Sequence, residues 1–372
     1  MNKTSIIILS YNTYRMTREC IESIRRFTPG GLYEIIVVDN GSKDDSLAYL
    51  KQQQDITLIA NEQNKGFPAG CNQGIRVAEH GNDILLLNSD TIVTPHYLEN
   101  LQTALYSDER VGAVGCITNS CSNLQQIETS YTSYQQIIEF AEKINHSNPR
   151  LWEIRPRLVG FCYLIKNQVQ RQVGYLDEVF GLGNFEDDDY SLRITMAGYR
   201  LLLCRDTFIH HYGNASFARH EDEVQRGERE KSYEELFFRN EKIFLDKWQV
   251  TEDYYNIHNV VFDVDLPLEA APRIFVAGCG MGYDLCYLKS KYPNAILSGA
   301  TENWAEAALA GKNWDVCYCP DTERDIFTLL TGKYDYILLA DAYKSYQDFD
   351  GYIARLMPYL TENGCINISE KK

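Results

Sequence analysis

Four consecutive carboxylates, Glu186-Asp187-Asp188-Asp189, follow Phe185 and a glycine-rich stretch, Gly181-Leu182-Gly183-Asn184. At the start of a helix such residues complement the macrodipole, and Asp189 can pair with Arg193 four positions on. They also repel one another. Crowding raises at least one carboxyl pKa, toward the range where a carboxylate accepts a proton from an attacking hydroxyl. A second acidic signal, Asn88-Ser89-Asp90, closes an apolar run. Two acidic sites on one scaffold suit an enzyme that holds a metal with one and abstracts a proton with the other.

The elements that must position these groups alternate from the first residues. Apolar runs at 5–9, 34–39, 56–60 and 83–88 read as strands, and 17–27, 45–53 and 70–80 as helices. Such alternation predicts a parallel sheet wrapped by helices. Polar residues gather just past the strand ends, at Ser10-Tyr11-Asn12, Asp39-Asn40-Gly41-Ser42 and Asn88-Ser89-Asp90. In open α/β sheets that edge binds ligands. From 119 to 157 the pattern loosens into a polar, Tyr- and Gln-rich insertion. Order returns as a strand over 157–165, then the acidic helix, then a strand at 200–205. Residues 219–250 read as a charged, solvated helical face.

Composition excludes several classes. A formal net charge of −16 over 372 residues argues against a nucleic-acid surface, though an anionic nucleotide still binds where a cation or helix N-termini offset the repulsion. No apolar run approaches the roughly 20 residues that span a bilayer. Eleven scattered cysteines without a C-x-x-C pair fit reduced, buried thiols in a cytoplasmic protein, with peripheral attachment at the inner face of a membrane through a partner left open. Zinc has no support, since Cys317-Tyr318-Cys319 lacks a second ligand pair.

Over residues 4–217 an ordered set of segments resembles a family 2 glycosyltransferase of GT-A fold, rhamnosyltransferase-like branch. It comprises Ser5 to Asn12, Val37 to Ser42, Asn64-Lys65-Gly66-Phe67 with Gly70 and Asn72, Leu87 to Asp90, Val173 to Glu178, Glu186 to Arg193, Gly198-Tyr199 and His211 to Ser216. The resemblance implies a nucleotide-diphospho-sugar donor. Asp39 would accept from the imide of uracil or thymine. Tyr11 and Asn12 would flank base and ribose, with Ser10 and Asn40 also among the donor-binding residues. The Lys65–Gly70 loop, with Gly66 and Phe67, would let backbone approach the nucleotide while Lys65 offsets diphosphate charge. Asn88 would hydrogen-bond the ribose or nucleotide, and Asn72 and Ser89 would also bind the donor. Asp90 and His211 would hold Mn²⁺ or Mg²⁺, with His210 leaving the histidine register open. Asp187 would be the general base, and Glu186 and Asp188 would hold acceptor hydroxyls. A single base implies inversion.

From Pro272 a second α/β pattern begins. Gly278-Cys279-Gly280-Met281-Gly282 after a strand, and Tyr334 to Asp341, resemble the front part of an S-adenosylmethionine methyltransferase. The ribose-holding acid is replaced in register by Thr301, with Glu302 next. A lone G-x-G-x-G is weak, so a degenerate or truncated domain for assembly or acceptor docking is preferred.

The expected organisation is therefore a GT-A domain over 1–218, a helical connector over 219–271 and a smaller Rossmann-like, methyltransferase-like domain over 272–372. The expected activity is metal-dependent, inverting sugar transfer from a UDP- or dTDP-sugar to a glycan, lipid-linked glycan or protein. The alternatives are a bifunctional enzyme with an active methyltransferase domain, or a non-catalytic nucleotide-sugar-binding protein.

Overall fold

A computed structural model describes residues 2–213, 223–340, 346 and 348–369, with 223–233 as backbone only. Asp341 and the Asn214-Ala215-Ser216 part of the last motif lie outside the described residues. The chain forms two compact units, residues 1–152 with 157–244, and 153–156 with 245–372.

The first unit contains β1 (Thr4–Ser10), α1 (Tyr14–Phe27), β2 (Tyr33–Asp39), α2 (Ser46–Leu50), β3 (Ile56–Ala60), α3 (Phe67–Val77), β4 (Asp83–Asn88), β5 (Thr91–Ile92), α4 (Tyr97–Leu105), β6 (Val111–Ile117) and α5 (Tyr134–Ile144). A short β7 (Trp152–Arg155) falls where the two units exchange the chain. Then come β8 (Cys162–Ile165), α6 (Asn167–Val173), α7 (Glu186–Met196), β9 (Arg200–Phe208), β10 (His210–His211) and α8 (Glu223–Trp248), which belongs to this unit as far as Phe244. Seven strands of the large sheet lie in the order β3-β2-β1-β4-β8-β6-β9. Ile6, Ile7 and Ile8 are all buried, as continuous apolar strands covered on both faces must be.

The sheet is mixed rather than wholly parallel, because β8 runs antiparallel to both β4 and β6. The strand expected over 157–165 is also shorter, and the reason is local. The amides of Leu158, Val159 and Gly160 are taken by side chains: Ser191 Oγ at 3.2 Å, Gln125 Oε1 at 2.9 Å and Asp187 Oδ2 at 2.8 Å. They cannot also enter a ladder. Pairing starts one residue later, where the Phe161 carbonyl accepts from Asn88 N at 2.9 Å.

The second unit contains β11 (Arg273–Ala277), α9 (Tyr283–Lys291), β12 (Ile296–Thr301), α10 (Trp304–Ala310), β13 (Asp315–Tyr318), β14 (Tyr334–Leu339), α11 (Phe349–Leu356) and β15 (Leu360–Ile368). Its five strands are parallel, in the order β13-β12-β11-β14-β15. Along β11, Ile274 and Val276 join one apolar cluster and Phe275 and Ala277 another, the two-residue alternation of a strand covered on both faces. The exposed edge strand β13 has no apolar run to mark it in the sequence.

Candidate active site

The carboxyl ends of β1, β2 and β4 bring three polar turns together. Ser10 is buried with its hydroxyl 3.0 Å from Thr17 Oγ1. Tyr11 is half-buried. Asn12 adopts a left-handed φ of 53°, receives Lys43 N at Oδ1 (2.7 Å) and donates its own N–H to Ser42 Oγ (3.0 Å). Asp39 is fully buried. Its Oδ1 accepts from Ser42 N at 3.2 Å, while Oδ2 has no partner. A buried carboxylate oxygen without a donor is costly unless a ligand supplies one.

Two of the expected ligand-binding residues are turned to protein instead. Asn40 donates to Asn64 Oδ1 (2.8 Å) and the Gly66 carbonyl (3.2 Å), and accepts from Asn61 Nδ2 and Lys65 N, both at 3.1 Å. It pins the loop that carries Lys65, whose side chain is exposed. Asn72 donates to the Leu176 carbonyl and Glu178 Oε1 and accepts from Leu176 N, all at 2.9 Å. Gly66, with φ of 88°, is obligatory in this loop: a Cβ there would lie 2.0 Å from the Gly181 carbonyl oxygen. Phe67 N donates to the Leu182 carbonyl at 3.3 Å.

At the end of β4, Asn88 keeps an unpartnered, buried Oδ1, and Ser89 Oγ lies 3.2 Å from Thr13 Oγ1. The β5–β10 ladder pairs His211 with Thr91, beside Asp90. His211 Nε2 lies 3.3 Å from Asp90 Oδ1, and its Nδ1 lies 2.7 Å from the Ser120 carbonyl. A carbonyl only accepts, so the hydrogen-bond network assigns a proton to Nδ1 and leaves Nε2 facing the carboxylate. Burial lowers the His211 pKa, but the hydrogen bond to Asp90 and its charge outweigh this and leave it raised. The strand's alternation turns His210 the other way. It bonds Tyr131 OH at 2.7 Å, and burial pushes its pKa down to about 4. Among the described residues no group of three or more His, Cys, Asp or Glu side chains is arranged to hold a metal.

The acidic turn meets this edge through Gly160 and Phe161. Phe161 stacks on His211, with ring centroids 5.2 Å apart. Gly160 N–H binds Asp187 Oδ2, and Asp188 N–H binds Asp187 Oδ1 at 2.9 Å. Burial, then repulsion from Asp188, push the Asp187 pKa up to about 6, against those N–H bonds and the charge of Arg157. Glu186 is buried with Oε2 unpartnered, and burial followed by the Asp187 charge lifts its carboxyl well above the ordinary range. Asp188 is held by Arg157 Nη1 at 2.6 and 2.7 Å, and Asp189 by Arg193 Nε at 2.9 Å. The four consecutive carboxylates thus occupy four different environments.

One contributor escaped the sequence reading. Asn240, in the charged segment, is fully buried and donates to the Phe180, Gly183 and Asn184 carbonyls at 2.8, 2.7 and 3.2 Å. The available signal was its place with Phe237 and Phe244 on one helical stripe.

The second unit's glycine-rich loop is largely occupied by protein. The amides of Gly278 and Cys279 both donate to the Ala300 carbonyl (2.8 and 3.0 Å), and Gly282 N donates to the Cys279 carbonyl (2.8 Å). Glu306, buried beside Gly280, accepts from Thr251 N, Thr251 Oγ1 and Thr301 Oγ1 at 2.9, 2.8 and 3.3 Å.

Residues 5–170 match the family described as Glycosyl transferase family 2. Asp187 and His211 lie beyond the matched span. An uncharacterized glycosyltransferase of Haemophilus influenzae is 31% identical over 115 residues, 30% of this chain and 35% of that protein. Glycosyltransferase GlyG of Streptococcus pneumoniae serotype 4 is 35% identical over 101 residues, 26% of this chain and 33% of that one. The chain thus spans about a third of the length of these relatives. The mannosyltransferase PcManGT from Pyrobaculum calidifontis, solved in complex with GDP-Man and Mn²⁺, superposes at a TM-score of 0.43 with 20% identity, covering 56% of each chain. Among the described residues no helix is long and apolar enough to cross a membrane.

Proposed function

We propose that the chain is an inverting, metal-dependent glycosyltransferase that moves a sugar from a UDP- or dTDP-sugar to a hydroxyl of a glycan or protein acceptor. One observation carries this reading. Asp187 is a carboxylate with its pKa near 6, each oxygen held by a backbone N–H, beside the strand edge where Asp39 and Asn88 keep unpartnered acceptors. A base with a pKa close to the working pH combines the correct protonation state with driving force for proton transfer.

The remaining roles follow from chemistry. The orphan Oδ2 of Asp39 accepts the imide N–H of uracil or thymine, a charge-assisted bond that a neutral acceptor makes less well. Asn12, with Ser10 and Tyr11, borders the base and ribose. Asn40 holds the Lys65–Phe67 loop open for the diphosphate, and Lys65 offsets its charge. Asp90 and His211 fit a divalent cation of the Mn²⁺ or Mg²⁺ kind, since Nε2 and a carboxylate oxygen already converge. When bound, the cation offsets charge on the leaving nucleoside diphosphate. Asp187 takes the acceptor proton as the hydroxyl attacks the face opposite the leaving group. The protonated form of Glu186 can donate to a sugar oxygen. This route has no covalent intermediate, so configuration inverts.

The test is a panel of nucleotide sugars with Mn²⁺ present, read by thermal shift and by release of nucleoside diphosphate. A bound donor raises the apparent stability. A panel in which no UDP- or dTDP-sugar raises the melting temperature would overturn the reading.

A further inference from the structure

We propose that Asn240 is a positioning residue for the acidic turn: by holding the Gly181–Phe185 loop in its left-handed course, it sets where Glu186 and Asp187 enter the site. The inference rests on the transferase reading above. Gly181, Gly183, Asn184 and Phe185 have φ of 60°, 133°, 73° and 74°. Two of them carry side chains, and Phe is rarely left-handed, so the surroundings must hold this course.

Asn240 does so from inside the protein. Its Nδ2 has two hydrogens and faces three loop carbonyls, so one bond is shared. Its Oδ1 accepts from Arg239 Nη1 at 2.6 Å, and Arg239 Nη2 donates to the Val179 carbonyl at 3.2 Å. The Phe185 ring packs against Phe237 and Phe244 from the same helix, with centroids 5.1 and 5.7 Å away. The loop then hands its geometry on in two directions. The Phe185 carbonyl accepts the Asp189 N–H at 2.9 Å, the bond that starts α7. The Gly181 and Leu182 carbonyls meet Gly66 and Phe67 on the proposed diphosphate loop. One buried amide therefore ties the first acidic turn to the donor side.

The full chain is prepared with Asn240→Ala and, as a control, Asn145→Ala. Asn145 is a comparably buried amide in the same unit, bonded instead to Thr94, Pro95 and Phe208. Expected for Asn240→Ala are a UDP affinity, measured with Mn²⁺, within about threefold of the parent, a kcat at least tenfold lower, and a displaced acid limb of the kcat–pH profile. Asn145→Ala moves neither kcat nor that limb. Hydrogen exchange adds a readout that needs no turnover: amides 184–189 lose protection in Asn240→Ala and keep it in the control. If Asn240→Ala does not fold, Phe237→Leu, which loosens only the Phe185 ring, gives the same pattern at smaller size. Unchanged protection at 184–189, or an equal effect in the control, overturns the inference. A parent that transfers no sugar defeats the transferase reading alone and leaves the exchange result to decide this one.

Discussion

Gly160 donates its backbone N–H to Oδ2 of Asp187 at 2.8 Å, across 27 residues of chain. Glycine eases the contact. A Cβ at position 160 would lie 3.3 Å from the Asp187 Cβ, tighter than most such contacts. Because the next residue stacks on His211 and pairs with Asn88, this bond ties the acidic turn to the edge that carries Asp90.

Asp187→Asn removes the proposed base and sets an amide NH2 against one of the two backbone N–H groups, of Gly160 or Asp188, that the carboxylate accepts from. We expect turnover to fall about 10²–10⁴-fold, with UDP affinity unchanged within about twofold. Steady-state kinetics with calorimetry checks both, and near-normal turnover in this variant sinks the base assignment.

The raised pKa of Asp187 has two pH signatures. Turnover rises with pH through an acid limb near the pKa of about 6. Stability moves the opposite way. The folded state binds this proton more tightly than the unfolded chain, so the contribution is fully present below the ordinary carboxylate pKa and is lost as pH rises through about 6. Asp187→Asn should therefore gain on the parent between about pH 4 and pH 8, by about 1 kcal/mol after allowance for solvent screening. Denaturant titrations at the two pH values measure the difference.

Removal of the metal should silence transfer, with Mn²⁺ restoring it. His211→Ala should raise the Mn²⁺ needed for half-maximal activity at least about tenfold, because it removes the ligand proposed next to Asp90. His210→Ala should leave the metal requirement alone and cost about 1 kcal/mol of stability, the loss of its bond to Tyr131. Metal titrations of the two variants separate the neighbours.

Arg157→Ala should destabilise the first unit by about 3 kcal/mol, since it strips a charged partner from buried Asp188. Replacing both residues, Arg157→Met with Asp188→Leu, should recover most of that loss. A double-mutant cycle by thermal melting measures the coupling.

S-adenosylmethionine should give no heat with the full chain. The Gly278, Cys279 and Gly282 amides are already bonded within the protein, and Glu306 lies beside Gly280. Calorimetric heat that saturates would restore the methyltransferase alternative.

Much of the architecture was legible because it is local. Short, β-branched Ile and Val runs bounded by turn residues read as buried strands, and polar residues just past them fall at the binding edge of an α/β sheet. The Asp189–Arg193 pair is one helical turn and needs no tertiary information. The ordered motifs from Ser5 to Asp90 lie within residues 5–170, the span that matches the family model. What residue type and spacing left open was the partner of each polar side chain. Asn40 and Asn72 are as polar as Asn88, yet the fold closes loops onto the first two and leaves the third an orphan oxygen. His210 and His211 differ only in the face of a two-residue strand, and only its register beside β5 puts Nε2 against Asp90. Arg157 finds Asp188 across 31 residues, and Asn240 finds the Gly183 carbonyl across 57. Sequence alone set most of the strands and helices and all of the chemical groups, because those follow from neighbours along the chain. Tertiary structure decided which carboxylates are neutralised, which is lifted toward pH 6 and which acceptors stay empty, because burial and charge act through space.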